Sequence, residues 1–482
     1  MCHTALVLPS LQATSPRGRL AAPAAGLLRA LLTHSSPCST AAVEVRLLPD
    51  SAAPSAEVEA AVRCLLANTS LVYEDAAVPF ATEPTLAANV EAVSVCDTGN
   101  AVAHGTVVMP WHLALRVHVY QLIDEEPADE GLSGDDTGGQ VSYRDYALPS
   151  RTFAGMWEAL TYDGDIKAKL LRYAGSTLVF SDAAVDPQLV SFNRVVLLHG
   201  PPGTGKTSLC AALAQKLAIR FGHRFATAQL VEVNAHSLFS RWFSESGKLV
   251  GKLFAKINEL VEEPDALVCV LVDEVESLSA ARKAGGNEPS DAIRVVNALL
   301  TQLDSLRARP NVLILTTSNL PTSVDGAFHR VMVWPPLART LTRLSPVAFV
   351  DRADIKQFIG LPTLAARYHI LRSCVIELRS KGVIAASVEQ LPPPFEAVRR
   401  GSMAAAVESR VVDSASGLLI VANAAEGLSG RALRKLPFLA HAASGDDVDR
   451  CGQAASMESF LAAMMSVTRQ EQADRAALQQ KG

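Results

Sequence analysis

The chain has 482 residues, of which 49% are hydrophobic and 19% are charged, and its mean hydropathy is +0.19. This composition supplies enough apolar side chains for several buried cores, and it excludes a wholly disordered chain. Lys and Arg together number 44 and Asp and Glu 49, which leaves a formal net charge of −5. Such a near balance excludes a strong overall attraction to nucleic acid or to an anionic membrane.

The cysteines and the apolar runs indicate a protein of a reducing compartment with no membrane span. The 8 cysteines are dispersed and form no CxxC pair, which disfavours a secreted, disulfide-bonded protein. The longest apolar runs, such as Ala266 to Val272, are far shorter than the roughly 18 residues that a membrane span needs. We therefore expect no membrane partner and no direct sequence-specific binding of nucleic acid.

The N-terminal stretch has a composition of its own. Residues 1–43 contain no Asp or Glu and carry Arg17, Arg19 and Arg29 among many Ala, Ser, Leu and Pro residues. Mitochondrial transit peptides share this composition, but prolines interrupt any long amphipathic helix here. We expect a disordered tail over residues 1–42, with mitochondrial targeting as the alternative.

Residues 43–123 carry the short signals of a small α+β domain. Ala56–Leu66 has the pattern of a helix, and Leu115–Leu122 alternates as a half-buried strand does. The stretch 124–140 then places seven acidic residues among four glycines, so it repels itself and buries little. We therefore predict a flexible acidic linker over residues 124–147.

Residues 148–360 alternate short aliphatic strands with helical patterns. The strands are Val195–Leu198, Leu267–Val272 and Val312–Leu315. Unbroken apolar strands separated by helices predict an α/β domain, with a parallel sheet covered by helices on both faces. Residues 361–482 are expected to be helical, because apolar residues recur there at helical spacing. These are Leu364, Tyr368, Leu371, Val375 and Leu378.

A glycine-rich loop directly after the strand Val195–Leu198 carries the strongest chemical signal. The loop consists of Gly200, Pro201, Pro202, Gly203, Thr204, Gly205, Lys206 and Thr207, followed by Ser208, and fits the pattern GxxxxGK[ST]. Small residues let the backbone wrap a phosphate chain, and the next helix adds positive potential at its N-terminus. The loop predicts ATP binding, with Lys206 at the β and γ phosphates and Thr207 as a ligand of Mg²⁺.

Polar residues follow the other two strands. Asp273 and Glu274 end the strand Leu267–Val272, at the edge where parallel sheets meet their ligands. We expect Asp273 to hold Mg²⁺ through water and Glu274 to orient or deprotonate the attacking water, which predicts hydrolysis rather than binding alone. Asn319 follows the third strand and would place an amide beside the γ phosphate, although an ordinary turn residue is the alternative.

The order of these motifs resembles that of an AAA+ ATPase, in which a P-loop, an Asp-Glu pair, an Asn-ended strand, an Arg-containing segment and a helical lid follow one another. More closely, six segments are similar to the pachytene checkpoint protein 2 family, the thyroid-hormone-receptor-interactor AAA+ ATPases. They are Val195–Leu217, Ser237–Val250, Asp273–Arg282, Glu288–Asp304, Val350–Gln357 and Glu426–Ala442. The resemblance implies an AAA+ P-loop ATPase domain over 148–360 and a helical lid with a C-terminal tail over 361–482.

This resemblance also implies a biological role. Members of the family are homo-hexameric ATPases that convert HORMA-domain proteins between conformers in meiotic chromosome-axis and spindle-checkpoint control. One client is reached through a HORMA-like adaptor, which the N-terminal domain holds. The expected locations are therefore the nucleus, on chromosomes, and the cytoplasm.

The resemblance gives roles to further residues of the ATPase module. By position, Asn319 is similar to sensor 1 and Arg431 to sensor 2, a lid cation that contacts the γ phosphate. Arg352 is similar to the arginine finger, which reaches the nucleotide of the neighbouring subunit and therefore implies a ring. Tyr162 matches the segment near the adenine.

One aromatic pair matches the first pore loop of the family. Trp242 and Phe243 would belong to a ring of aromatic side chains that grips an extended peptide without reading its sequence. Without the resemblance, such a pair is as readily explained as part of a core. The pair therefore predicts a substrate contact only within a hexamer.

Residues 329–349 interrupt the family pattern between sensor 1 and the arginine finger. If this insertion is part of the protein, it must loop outward for Arg352 to reach the next nucleotide. Two alternatives to HORMA remodelling stay open at this point. One is another AAA+ motor, of the microtubule-severing or unfoldase type, and the other is a nucleotide-gated scaffold with little hydrolysis.

Overall fold

The computed structural model describes most of the chain from Thr40 onward. The described residues are 40–69, 72–73, 77–96, 107–108, 114–130, 143–186, 188–234, 246–276, 289–319, 352–387, 390–395, 397–398, 409–443 and 454–480. The predictions made for the tail up to residue 39, for the pore aromatics Trp242 and Phe243 and for the insertion 329–349 lie outside these residues.

The N-terminal unit is a small sheet with a helix packed on it. Its elements are β1 (Thr40–Leu47), α1 (Ser55–Asn68), β2 (Val72–Tyr73), α2 (Pro84–Asn89), β3 (Val90–Cys96), β4 (Val107–Val108) and β5 (Ala114–Tyr120). β1 lies in the middle, antiparallel to β3 and parallel to β5. The apolar stripe of α1, with Val58, Val62 and Leu66 fully buried, closes the core of this unit. Residues 40–42, predicted as tail, belong to β1 because all three pair with β5 and Ala42 also pairs with β3.

A seven-stranded sheet forms the centre of the described structure. The elements around it are β6 (Ala128–Glu130), β7 (Tyr143–Leu148), α3 (Met156–Ala159), α4 (Ile166–Asp182), β8 (Val195–His199), α5 (Lys206–Arg220), β9 (Thr227–Asn234), α6 (Ser246–Val261), β10 (Ala266–Asp273), α7 (Pro289–Leu306), β11 (Val312–Ser318) and β12 (Ile355–Phe358). The strand order is β12-β8-β11-β10-β9-β7-β6, and the first five strands are parallel. The predicted α/β class is confirmed.

The strand β10 is buried on both faces, and this burial explains its unbroken apolar run from Ala266 to Val272. Leu267, Cys269 and Leu271 point into the core on one face of the sheet, which α4 and α5 cover. The intervening valines at 268, 270 and 272 point into the core on the other face, which α6 and α7 cover. Since both faces are buried, alternate positions are all apolar.

Residues 128–130 and 143–148 differ from the sequence prediction. They fall within the predicted linker, yet β7 pairs antiparallel with β9, and β6 pairs antiparallel with β7 at the edge of the sheet. Tyr143 is buried in the core on one face of the sheet, and Tyr146 and Leu148 are buried in the core on the other face, so both faces of β7 are covered. The acidic charges next to this strand hid its short apolar pattern.

The C-terminal part is a helical unit. Its elements are α8 (Leu364–Ser380), β13 (Ile384–Ala385), α9 (Ser409–Ala424), α10 (Gly430–Ala443), β14 (Ala455–Ser456) and α11 (Met457–Gln480). Tyr368, Leu371 and Val375 of α8 are fully buried in its core, as their helical spacing predicts. None of the described helices is long and apolar enough to cross a membrane.

A buried ionic cluster joins the N-terminal unit to α5. Glu44 of β1 and Lys216 of α5 have side chains that are 4% exposed, and their Oε2 and Nζ atoms are 2.6 Å apart. Arg220 lies 3.0 Å from the other oxygen of Glu44, and Glu158 lies 2.8 Å from Lys216. Although burial disfavours the ammonium, Glu44 and Glu158 raise the pKa of Lys216, so Lys216 keeps its charge. The N-terminal unit is therefore docked on the helix that begins at the P-loop.

Candidate functional site

The carboxyl ends of three adjacent strands define the candidate site. β11 lies between β8 and β10, with His199 beside Ser318 and Val272 beside Thr316 in the register. The P-loop follows β8, the acidic pair ends β10 and Asn319 follows β11. Parallel pairing therefore brings the three sequence motifs to one edge of the sheet.

Glycine is required in the P-loop at the positions where the sequence has it. Gly200 has φ +142°, and a Cβ added there would lie 2.2 Å from the backbone oxygen of Ile359. Gly205 has φ +87°, and a Cβ there would lie 2.8 Å from the Tyr162 hydroxyl. The loop can therefore turn tightly and leave its amides available to phosphate oxygens.

Lys206 is the first residue of α5 and lies under the loop. Its side chain is buried, and Nζ donates to the carbonyl oxygens of Gly200 and Pro201, each at 2.9 Å. Nζ also donates to Oδ1 of Asn319 at 2.7 Å. Burial lowers the pKa of the Lys206 ammonium, and nearby carboxylates, Glu276 first among them, oppose this shift. The cation is thus held where the phosphate chain of a nucleotide would pass.

The rest of the loop supports this arrangement. Thr204 donates to the backbone oxygen of Pro201 at 3.0 Å and is buried, whereas Pro202 is exposed. Ser208 lies partly buried in the first turn of α5. The Tyr162 hydroxyl donates to the backbone oxygen of Gly205 at 3.1 Å, and burial raises the pKa of Tyr162. Tyr162 therefore stays protonated and buttresses the loop from the side.

Thr207 and Asp273 are the two side chains that could hold Mg²⁺ beside the loop. The Thr207 hydroxyl donates to Oδ1 of Asp273 at 2.8 Å, which brings a neutral oxygen and a carboxylate side by side next to the loop. Mg²⁺ prefers oxygen ligands and is commonly held by one or two protein groups together with water and substrate phosphates. The two side chains therefore fit this ion.

Glu274 and Asn319 are in contact. The side-chain amide of Asn319 donates to Oε1 of Glu274 at 3.3 Å, and its backbone N–H donates to Oε1 of Glu276 at 2.9 Å. Asn319 therefore links Lys206 to Glu274, since its Oδ1 accepts from the ammonium. Glu274 is exposed at the loop and has φ +55°, a left-handed conformation that is unfavourable for a residue with a side chain.

The lid contacts the P-loop through the start of α10. The backbone N–H of Arg431 donates to the backbone oxygen of Gly203 at 3.0 Å. Ser429 caps the helix, because its hydroxyl accepts from the N–H of Ala432 at 3.3 Å. A Cβ on Gly203 would lie 2.8 Å from Oγ of Ser429, so the lid packs tightly on the loop. The exposed side chain of Arg431 is thereby kept beside the P-loop.

Arg352 lies near the amino ends of the parallel strands, whereas the other predicted catalytic residues lie near their carboxyl ends. The N–H of Asp354 donates to the backbone oxygen of Val195, the first residue of β8, whereas the P-loop follows the last residue. At about 3.3 Å per residue, this strand separates the two ends by about 16 Å. Arg352 donates from Nε and from a terminal nitrogen to Asp304 at 2.7 and 2.8 Å, which lowers the pKa of Asp304. Arg352 cannot reach the P-loop of its own chain.

Sequence reasoning missed several residues that support this site. They are Glu276, Asp304 and Thr317. Glu276 and Thr317 lie next to motif residues, but acids and threonines are common there, and only the pairing of β10 with β11 brings them together. Asp304 lies 48 positions before its arginine, so no local pattern reveals the pair.

Family models match three parts of the chain. The TRIP13 N-terminal domain matches residues 38–125, the ATPase family associated with various cellular activities matches residues 196–333, and the TRIP13-like AAA+ ATPase lid C-terminal domain matches residues 363–472. With the fold and the P-loop geometry, these matches define an AAA+ ATPase, so the predicted enzyme class is confirmed.

Relatives cover nearly the whole length of the chain. The pachytene checkpoint protein 2 homolog of Arabidopsis thaliana is 48% identical over 444 residues, which is 90% of this chain and 88% of the relative. The homolog of Homo sapiens is 44% identical over 421 residues, which is 87% of this chain and 91% of the relative. The solved structure of C. elegans PCH-2 is 30% identical, has a TM-score of 0.67 and aligns over 90% of this chain and 100% of its own. The chain belongs to the pachytene checkpoint protein 2 family.

Proposed function

We propose that this ATPase hydrolyses ATP with Mg²⁺ at a site shared by neighbouring subunits of a homo-hexamer, and uses the energy to convert HORMA-domain proteins between conformers. The observation that supports this proposal best is the continuous contact of Lys206, Asn319 and Glu274 beside the pair of Thr207 and Asp273. The three matched modules of the family supply the context.

The residues around the P-loop have separate roles in the proposed hydrolysis. The backbone of the loop and Lys206 bind the phosphates, and Thr207 with Asp273 would hold Mg²⁺, which supplies positive charge to the β and γ phosphates when bound. Glu274 takes the proton of the attacking water, while Asn319 fixes the position of the carboxylate through its amide. Arg431 would contact the γ phosphate and so link the lid to the state of the nucleotide, because its backbone N–H is already bonded to the P-loop.

Arg352 supports the ring. It lies at the edge of the sheet that its own nucleotide does not reach, and Asp304 holds its guanidinium by two charge-assisted hydrogen bonds. A cation fixed at this edge can stabilise transition-state charge only in a neighbouring subunit. When a subunit hydrolyses its ATP to ADP, its contact with the neighbouring subunit changes. This change is how hydrolysis would move the pore residues against a bound polypeptide.

The proposed clients and locations follow from the family. Its members act on HORMA-domain proteins, in some cases through a HORMA-like adaptor that the N-terminal domain holds. For this chain we propose the same partners, with action on chromosomes in the nucleus and on checkpoint proteins in the cytoplasm. Meiotic control and spindle-checkpoint control are the processes in which these clients function.

Capture of clients tests this function. The variant Glu274→Gln keeps the binding loop and loses the proton acceptor, so it is expected to retain ATP-bound complexes. Pull-down from meiotic and mitotic extracts with ATP should recover HORMA-domain proteins, and Lys206→Ala, which loses the phosphate contact, should recover few. Recovery of tubulin or proteasome subunits instead would indicate another AAA+ motor. Equal recovery by both variants, with equal ATPase rates for Glu274→Gln and wild type, would indicate a scaffold.

A further inference from the structure

We infer that Thr317 is a positioning residue for ATP hydrolysis, whose single hydroxyl holds both acids of the site in their working arrangement. This inference rests on the proposed roles of Asp273 and Glu274. It concerns how those two side chains are held in place, so it extends the proposed function to a third strand residue.

Thr317 lies on β11, the strand between β8 and β10, and is 1% exposed. Its hydroxyl donates to Oδ1 of Asp273, and the same oxygen atom accepts from the backbone N–H of Glu274 at 3.1 Å. One hydroxyl has one hydrogen to donate and lone pairs to accept, so these two bonds use it in both directions. A valine side chain at this position could make neither bond.

The backbone of Thr317 holds the same turn. Its carbonyl oxygen accepts from the N–H of Val275 at 3.0 Å, so two successive N–H groups, those of Glu274 and Val275, end on this one residue. Thr317 is itself fixed in the sheet, beside Leu198 of β8 in the register. The turn that carries the acids is therefore attached to the middle of the parallel sheet.

The backbone of Glu274 shows why such an attachment is needed. With φ at +55°, Glu274 adopts a conformation that residues with a Cβ avoid, and it keeps this conformation only if surrounding bonds enforce it. Hydrogen bonds from its own N–H and from the next N–H to Thr317 provide that constraint. Loss of the hydroxyl would release the first of them and leave Oδ1 of Asp273 with one donor fewer.

Thr316 offers a matched control on the same strand. It is fully buried, and its hydroxyl donates to the backbone oxygen of Val196 at 3.0 Å, a contact within the sheet. Replacing either threonine by valine removes one buried hydroxyl and keeps the shape of the side chain. The two variants therefore differ in the partner of the lost hydroxyl, which is the acidic pair for Thr317 and the sheet backbone for Thr316.

The test compares Thr317→Val, Thr317→Ser and Thr316→Val in the full chain. Thr317→Val is expected to lower kcat by about 10- to 100-fold and to raise the Mg²⁺ concentration for half-maximal rate, because partners behind a ligating carboxylate commonly have effects of this size. Thr317→Ser keeps the hydroxyl and should retain a rate within about 3-fold of wild type. Thr316→Val should keep both the rate and the Mg²⁺ dependence.

Several outcomes would overturn the inference. They are an unchanged rate and Mg²⁺ dependence in Thr317→Val, an equal loss in Thr317→Ser, and an equal loss in Thr316→Val. ATP affinity measured with and without Mg²⁺ separates this failure from that of the proposed function. If wild type hydrolysed ATP no faster than Glu274→Gln, the proposed function would fail, and the Mg²⁺-dependent part of the affinity would still be expected to fall in Thr317→Val.

Discussion

Replacing Glu274 by Gln is expected to lower kcat for ATP hydrolysis by about 10²- to 10⁴-fold, the usual contribution of a positioned proton acceptor. The carboxylate lies at the carboxyl ends of the parallel strands, next to the P-loop, and accepts from the amide of Asn319 at 3.3 Å. A glutamine there keeps the size of the side chain and removes its capacity to take a proton. ATP affinity should change little, because Lys206 and the loop glycines are unaltered.

Steady-state phosphate release and equilibrium binding of labelled ATP check this prediction together. Glu262→Gln is a suitable control, since it removes an exposed carboxylate just after α6, away from the residues of the proposed chemistry. The control should turn over ATP at close to the wild-type rate. Hydrolysis by Glu274→Gln within about 3-fold of wild type would contradict the assignment of the proton acceptor.

Replacing Glu44 by Gln is expected to lower the free energy of unfolding by about 3–5 kcal/mol, because it removes the buried carboxylate that Lys216 and Arg220 share. Glu44 accepts from Lys216 at 2.6 Å and lies 3.0 Å from Arg220, and the Glu44 and Lys216 side chains are 4% exposed. Glutamine keeps the volume and removes the charge. The N-terminal unit should then separate from α5 before the sheet unfolds, since these cations belong to that helix.

Denaturant titration measures the stability, and limited proteolysis between β5 and β7 measures the separation of the two units. Glu59→Gln is the matched control, because Glu59 pairs with Arg63 on the surface, with 41% and 49% of the two side chains exposed. An exposed pair of this kind contributes about 0–1 kcal/mol. The double variant Glu44→Gln with Lys216→Met should recover part of the loss. Equal stability of Glu44→Gln and Glu59→Gln would contradict the structural role of the buried cluster.

Most of the fold, and the chemistry of the residues around the P-loop, could be predicted from local sequence patterns. A strand such as β10, buried on both faces, must be apolar from Ala266 to Val272, and the loop after β8 needs glycines where φ is positive. Such requirements act over a few neighbouring residues, so they leave a readable trace in the sequence. The helical spacing of α8 is a trace of the same kind.

Contacts between distant segments left no such trace. Glu44 and Lys216 are 172 positions apart, and either residue alone resembles an ordinary surface charge in the sequence. Asp304 and Arg352 meet only because α7 and the start of β12 pack at the same edge of the domain. The strand β7 was hidden because neighbouring acidic residues and glycines are typical of a linker, while the strand itself has only six residues.

Mixing two inactive variants tests the shared site most directly. Glu274→Gln lacks the proton acceptor of its own site, and Arg352→Ala lacks the cation that we assign to the site of a neighbour. In mixed rings, an Arg352→Ala subunit next to a Glu274→Gln subunit has an intact acceptor and receives an intact arginine. Random assembly at equal amounts makes about a quarter of the sites complete if the arginine acts between subunits.

The measurement is the ATPase rate of the two variants assembled together, compared with each variant alone and with wild type. We expect each variant alone to be nearly inactive and the mixture to regain up to about a quarter of the wild-type rate. Both variants should bind ATP, so the regained rate would report completed sites. A mixture no more active than its two components, although subunits exchange, would contradict hydrolysis at a site shared between subunits.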